Sequence, residues 1–332
     1  MAGEIYFPNE IGCTDEQITV MDDNTVLFRP AFARGVVQAN NFGGPRLTLQ
    51  RIMQVNNSDD RSKLFAFLAA VRGKQRPFWS TVNYKMRGAF ASAELLTNNF
   101  LRSGTTGWSA TSGAISNYAA ILRAISSSTV QFGATDSPGS LTSGYAYAAR
   151  AAIIVGKNGG NWTCGPDLTD NLSVSATSYS NGSGVKTAVL TATGTGTGTF
   201  GVYANPGTVA SGDFFDIWMA SVSRCFLVDG ANQSGSSLNV KAIQPASTNG
   251  LLYPGDLVEI NGELKICTAP LSSDGSSKGF LIFEPEMVAS PPDGAAIVVV
   301  NPMSKWVAAS DPVITNQYGL YAQVQIQMEQ VY

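Results

Sequence analysis

Leu257-Val258-Glu259-Ile260-Asn261-Gly262-Glu263-Leu264-Lys265-Ile266-Cys267 is the stretch that decides the fold class. Two short runs of branched and aliphatic residues flank an Asn-Gly pair. That pair suits a type I′ turn, in which both central residues need positive φ. The segment reads as a β-hairpin. The alternation after it agrees: Ala322, Val324, Ile326 and Met328 against Gln323, Gln325, Gln327 and Glu329. A period of two predicts a half-buried strand. Its glutamine face suits solvent or a hydrogen-bonded subunit contact. Phe280–Phe283 and Ala295–Val300 read as further strands.

Upstream, Ile18–Val20, Thr25–Phe28 and Arg46–Val55 read as strands. In the last, Leu47, Leu49, Met53 and Val55 share a face, and Arg51 breaks the pattern. One helix is predicted over Asp59–Arg72. Ser58 is the expected N-cap, Asp59 and Asp60 favour the helix dipole in the first turn, and Gly73 is the expected C-terminal cap. Leu64, Leu68 and Val71, with Phe65 beside them, form its apolar face. Pro77-Phe78-Trp79 then starts an aromatic strand.

The middle differs in composition. Residues 95–228 carry 6 Lys+Arg and 5 Asp+Glu and are crowded with Gly, Ser, Thr and Ala. Residues 1–94 carry 11 and 9, and residues 229–332 carry 4 and 10. Such a shift suggests one domain inserted into another. Tyr145–Val155, Asn171–Ser175, Lys186–Ala192 and Phe214–Val228 read as strands between Gly, Asn, Ser and Pro clusters, the pattern of a sandwich. Gly194–Thr199 reads as a mobile loop before a strand at Phe200–Tyr203.

With 332 residues, the length prior is two or three domains, and 44% hydrophobic residues suffice for proper cores. A net charge of −3 gives no basic footprint for nucleic acid. No apolar run reaches the roughly 18 residues of a membrane helix. The first ten residues lack the basic and apolar regions of a signal peptide. There is no histidine, which excludes histidine triads, histidine metal sites and histidine bases. Cys13, Cys164, Cys225 and Cys267 lack metal-knuckle spacing and read as reduced, packed thiols. A Cys164–Cys225 disulfide is the other reading.

Asp213 and Asp216 form one carboxylate pair and Asp167 and Asp170 another. Such pairs can ligate a structural Ca²⁺ or serve as a glycosidase acid and base, or simply sit exposed at turns and strand ends. Trp108, Tyr118 and Trp162 lie near Gly and Asn. If exposed, their rings offer a glycan platform; if buried, they close the ends of the sandwich. Gly182–Thr187 lacks the spacing of a phosphate loop. Four Asn-X-Ser/Thr triplets are explained by chance in so Asn- and Ser-rich a segment. No cofactor is expected beyond that possible Ca²⁺.

Without the insert, the two ends read as one unit. They carry the helix, Gly73-Lys74-Gln75-Arg76-Pro77-Phe78-Trp79, then Tyr253-Pro254-Gly255-Asp256-Leu257, then Phe283-Glu284-Pro285 and the alternating final strand. This order resembles the distal tail proteins of the baseplate hub of long-tailed bacteriophages. In the middle, Asn98-Asn99-Phe100, Gly107-Trp108 and Gly212-Asp213-Phe214-Phe215-Asp216 resemble a galactose-binding-like jelly roll of the carbohydrate-binding-module type. The resemblance implies a mainly β chain with one α-helix. Residues 1–91 and 229–332 would form a β-sandwich or barrel tail-hub domain, interrupted by a jelly-roll sandwich at 92–228. It implies a non-enzymatic virion protein, made in the bacterial host cytoplasm and placed at the tail tip. There it would form a ring, commonly a hexamer, between the tail tube protein and the baseplate or tip proteins, with the insert touching host surface glycans. Leu64, Leu68, Phe78 and Trp79 are the expected hub core and assembly residues. A glycan-binding tail adhesin and a carbohydrate-active enzyme are the competing readings.

Overall fold

A computed structural model describes residues 4–8, 11, 13–21, 25–28, 38–41, 46–72, 75–82, 94–96, 101, 105–118, 121–127, 131–156, 163–205, 209–316 and 322–331. The chain is mainly β, with antiparallel strands and one helix among the described residues. Three bodies follow in chain order, and the last segment returns to the first.

The frame begins with β1 (Cys13–Met21), β2 (Thr25–Phe28), β3 (Gln38–Asn41), β4 (Arg46–Val55), α1 (Ser58–Val71) and β5 (Phe78–Thr81). As the alternation predicts, Leu47, Leu49, Met53 and Val55 of β4 are buried. Arg51 shares their face and is buried too. It donates to Glu16 Oε2 at 2.8 Å, to Ser80 Oγ at 2.7 Å and to the Thr81 carbonyl, with its guanidinium over the Phe7 ring. A buried cation is tolerable only with such partners.

The helix starts and ends one residue from the expected caps. Asn57, not Ser58, is the N-cap, and its side chain accepts from the Asp60 N–H at 2.7 Å. Arg72 takes the left-handed C-cap conformation expected of Gly73, which lies outside the described residues. Leu64, Phe67 and Val71 are buried and Leu68 packs beside them. Phe65 is 39% exposed, beneath Arg61. The apolar face is therefore centred on Phe67, whose ring meets Phe7 and Phe78 edge to face.

The sandwich contains β6 (Ser109–Thr111), β7 (Gly113–Tyr118), β8 (Ile121–Ser126), β9 (Phe132–Asp136), β10 (Ser140–Leu141), β11 (Ala146–Val155), β12 (Thr163–Thr169), β13 (Ser175–Thr177), β14 (Ser180–Asn181), β15 (Gly184–Thr191), β16 (Gly196–Thr197), β17 (Thr199–Asn205) and β18 (Phe214–Val228). One sheet runs β15-β11-β18-β8-β7 and the other β13-β12-β17-β9-β6, with β14 also on β12. Leu122, Phe132, Tyr147, Phe200, Phe215 and Val222 lie in the core between them.

Two expectations fail here. Asn171–Ser173 is not strand but a turn: the Asp170 carboxylate accepts from the Leu172 and Val174 N–H groups and draws the chain round itself. Gly194–Thr199 is not wholly loop, because β16 inside it pairs with β10.

The barrel follows: β19 (Gly235–Lys241), β20 (Leu257–Ile260), β21 (Glu263–Cys267), β22 (Gly279–Met287) and β23 (Ala296–Val298). The hairpin is as predicted, with Asn261 at φ 52° and Gly262 at φ 81°. β18 does not stop at the sandwich. Its last residues pair with both β19 and β23, so the pairings close as β18-β19-β22-β21-β20-β23-β18 around Phe226, Leu238, Val258, Phe283 and Ile297. The end of β18 and residues 235–298 thus close into a barrel that shares β18 with the sandwich.

β24 (Met303–Ala308), β25 (Val313–Asn316) and β26 (Ala322–Gln330) return to the frame, completing the sheet β1-β4-β26-β24-β5 with β25 on β26. Leu49 faces Met328 and Phe78 faces Trp306 across these pairings. Residues 303–330 pair with the frame strands, and Leu257 and Leu264 of the hairpin also pack into the frame core. All four cysteines are free thiols, Cys164 and Cys225 included.

Candidate functional site

The sandwich aromatics do not form a platform. Trp108 is buried at 6% exposure, with its ring edge to face on Phe200 at 5.9 Å. Glycine at 107, with φ 86°, makes the bend that turns the indole inward. Of the two placements open to Trp108, the structure shows the buried one. Tyr118 ends β7 opposite Ile121, and its side chain lies outside the described residues, as does all of Trp162.

The carboxylates at the start of β18 have separate duties. Asp216 holds Arg123 in a two-pronged pair at 2.7 and 2.8 Å, with that guanidinium stacked over Phe214. Asp213 is fully buried and accepts from the Ala210 N–H at 2.8 Å, closing the turn before β18. Among the described residues no group of three or more acidic, Cys or His side chains is placed to hold a metal ion. Asp170 also serves the fold. Burial pushes its carboxyl up, but the N–H groups of Thr193 and Val174, the Thr193 hydroxyl and the Leu172 N–H outweigh that and hold it at about 2. Asp167 is pushed the other way by burial, against hydrogen bonds from Thr169 and Tyr179.

What the fold brings together is the place where the three bodies meet. Arg150 stands alone in the alanine-rich β11 and points out of the sandwich core. It is fully buried. Its guanidinium donates to Glu259 of β20 at 2.6 Å and to the carbonyls of Val300 and Asn301 at 2.9 and 2.8 Å. The same Glu259 oxygen accepts from the Met303 N–H at 2.7 Å, where the chain re-enters the frame. Glu94, on the way into the sandwich, accepts from Ser221 Oγ and the Val222 N–H of β18, each at 2.7 Å, and from Asn301 Nδ2 at 3.0 Å. Burial pushes the Glu94 carboxyl up, opposed by the hydrogen bonds from the Ser221 hydroxyl and the Val222 and Leu96 N–H groups and by the charge of Arg150. One polar knot thus ties the segment entering the sandwich to sandwich, barrel and frame.

Apolar contacts flank the knot. Tyr6 stacks on Trp218 at 5.7 Å, and with Ala152, Met219 and Met303 it packs the frame onto the outer face of the sandwich. Ala146, Ala148, Cys225 and Val298 do the same toward the barrel. The expected hub residues divide accordingly. Leu64, Leu68 and Phe78 belong to the frame core, whereas Trp79 belongs to the seam with the sandwich.

Trp79 also lines a groove of about 360 Å³ at this junction, with Val185, Thr187 and Val189 of β15 and with Glu259, Asn261 and Gly262 of the hairpin. The indole N–H donates to Glu4 at 3.1 Å. Elsewhere, apolar side chains that face solvent include Phe280 and Ile282 on one face of β22, Val288 just after it, and Val313 and Ile314 on β25.

No protein-family model matches the chain, and no curated protein matches it. Among solved structures, the adhesin domain of Epf from Streptococcus pyogenes is similar over 49% of this chain, with 12% identity and a TM-score of 0.25. The match spans 64% of that structure's length.

Proposed function

We propose that the chain is a non-enzymatic structural protein of a phage tail tip. In this reading it forms a ring, six-membered as the resembling family implies, between the tail tube protein and the baseplate. The observation that carries the reading is the unbroken β18, together with the Arg150–Glu259 knot at its side. A sandwich sharing a strand with a barrel, which is clamped in turn to the frame, moves as one with its neighbours. That suits a part that transmits force and holds position, and not a module hinged on a linker. The exposed side chains of Phe280 and Ile282 on β22 and of Val313 and Ile314 on β25 supply apolar surface for lateral contacts between copies.

The second reading is a glycan-binding adhesin, favoured by the junction groove. It offers an indole and short polar side chains, Thr187 and Asn261, in one concavity. Antibody labelling of the particle, imaged by electron microscopy, tests the first reading. Label at the tail tip supports it, and label on the capsid contradicts it. Quenching of tryptophan fluorescence by soluble host glycan, lost in Trp79→Phe, would favour the second.

A further inference from the structure

Cys164 on β12 and Lys186 on β15 belong to opposite sheets of the sandwich. β15 is an edge strand, and Lys186 points inward from it beside Ala188 and Leu190. An inward charge on an edge strand blocks unwanted pairing, provided the charge finds acceptors. Here the ammonium donates to the Cys164 carbonyl at 2.7 Å and the Ser180 carbonyl at 2.6 Å, and it lies 3.2 Å from Cys164 Sγ. Cys164 is fully buried and Lys186 is 6% exposed. Two carbonyls fix the amine, so the nitrogen is held against the sulfur without any rotation of either side chain.

We propose that Cys164 and Lys186 are a modification site: with dioxygen as oxidant, they form a reversible Sγ–O–Nζ cross-link between the two sheets. The S–H bond and two N–H bonds of the ammonium break, and S–O and O–N bonds form. One oxygen atom becomes the bridge, the other leaves as water, and one proton is released. Sulfur and nitrogen together give up the four electrons that dioxygen takes. A small-molecule thiol reverses the step by reducing the bridge to thiol, amine and water. Dioxygen is small and apolar enough for a buried pair, whereas the usual route of thiol oxidation needs an exposed thiolate. Burial pushes the Cys164 thiol up and the Lys186 ammonium pulls it down. The cross-link would do for this sandwich what an inter-sheet disulfide does elsewhere, in a chain whose cysteines are all free.

The test uses the full chain, kept under reductant or equilibrated with air, then denatured, alkylated and digested. In the air sample the proposal expects a peptide pair joining Cys164 to Lys186, heavier than their sum by one oxygen less two hydrogens. The pair should vanish on treatment with thiol, and the air sample should melt higher than the reduced one. Lys186→Arg keeps the charge and the donors but cannot form this bridge, so Cys164 should alkylate fully in that variant. Full alkylation of Cys164 in air-equilibrated wild-type protein would overturn the proposal. So would oxygen found on Cys164 alone, or a direct sulfur–nitrogen link without oxygen.

Discussion

Replacing Arg150 by Met keeps most of the side-chain volume and removes the guanidinium from the junction. Glu259 is then left as a buried carboxylate whose remaining close donor is the Met303 N–H. The Val300 and Asn301 carbonyls lose their donor as well. Breaking a buried ion pair from one side costs about 3–5 kcal/mol, because the surviving charge is uncompensated. The lost carbonyl bonds belong to the same guanidinium, so the expected cost is about 4 kcal/mol in all, a large share of the 5–15 kcal/mol typical of a folded chain. Glu259→Gln should cost about 3 kcal/mol by the same logic, since it leaves the cation unpaired. The double variant carries neither charge, so it should cost less than the sum by roughly 2 kcal/mol. Urea denaturation followed by tryptophan fluorescence measures all three. Hydrogen exchange should show the extra opening at β20 and at Met303. Single variants each costing under about 1 kcal/mol, with additive effects, would refute the knot as the tie between the bodies.

Trp108→Ala should destabilise the sandwich by about 3–5 kcal/mol in denaturant titration, whereas an exposed platform would lose almost nothing. Gly262→Ala should cost about 1 kcal/mol through the positive φ alone, because the added methyl would meet Trp79 no closer than 3.6 Å. The Asp170 carboxyl is lowered from 3.8 to about 2. Its contribution is present above its unfolded value and is lost as pH falls through the folded one, so acid melting curves between pH 4 and pH 2 should flatten in Asp170→Asn. Glu94 is raised from 4.5, which reverses the sign. Its contribution is full below its unfolded value and declines as pH rises through the folded one, and Glu94→Gln should remove that decline in the same melting series.

Local patterns were legible in the sequence, and closures between distant segments were not. The 257–267 hairpin, β4 and β26 follow from turn chemistry and a period of two, both of which act within a few residues. The barrel depends on Leu227 facing both Lys241 and Ala296, which no local pattern announces. The helix shifted by one residue at each end because Asn57 caps as well as Ser58 would, and because Arg72 accepted the left-handed turn. The knot was missed, yet it left a mark. Arg51, Arg150 and Lys186 each interrupt the apolar face of a strand, and each is buried with two or more acceptors. An isolated cation on a buried strand points to a long-range partner, although its identity cannot be read from the strand.

Native mass spectrometry of the full chain at micromolar concentration tests the central claim most directly. The account predicts a closed cyclic homo-oligomer, expected as a hexamer, that falls apart when Phe280 and Ile282 are changed to serine while each copy stays folded. A chain that remains monomeric at that concentration, or that assembles as a trimeric spike, would contradict it.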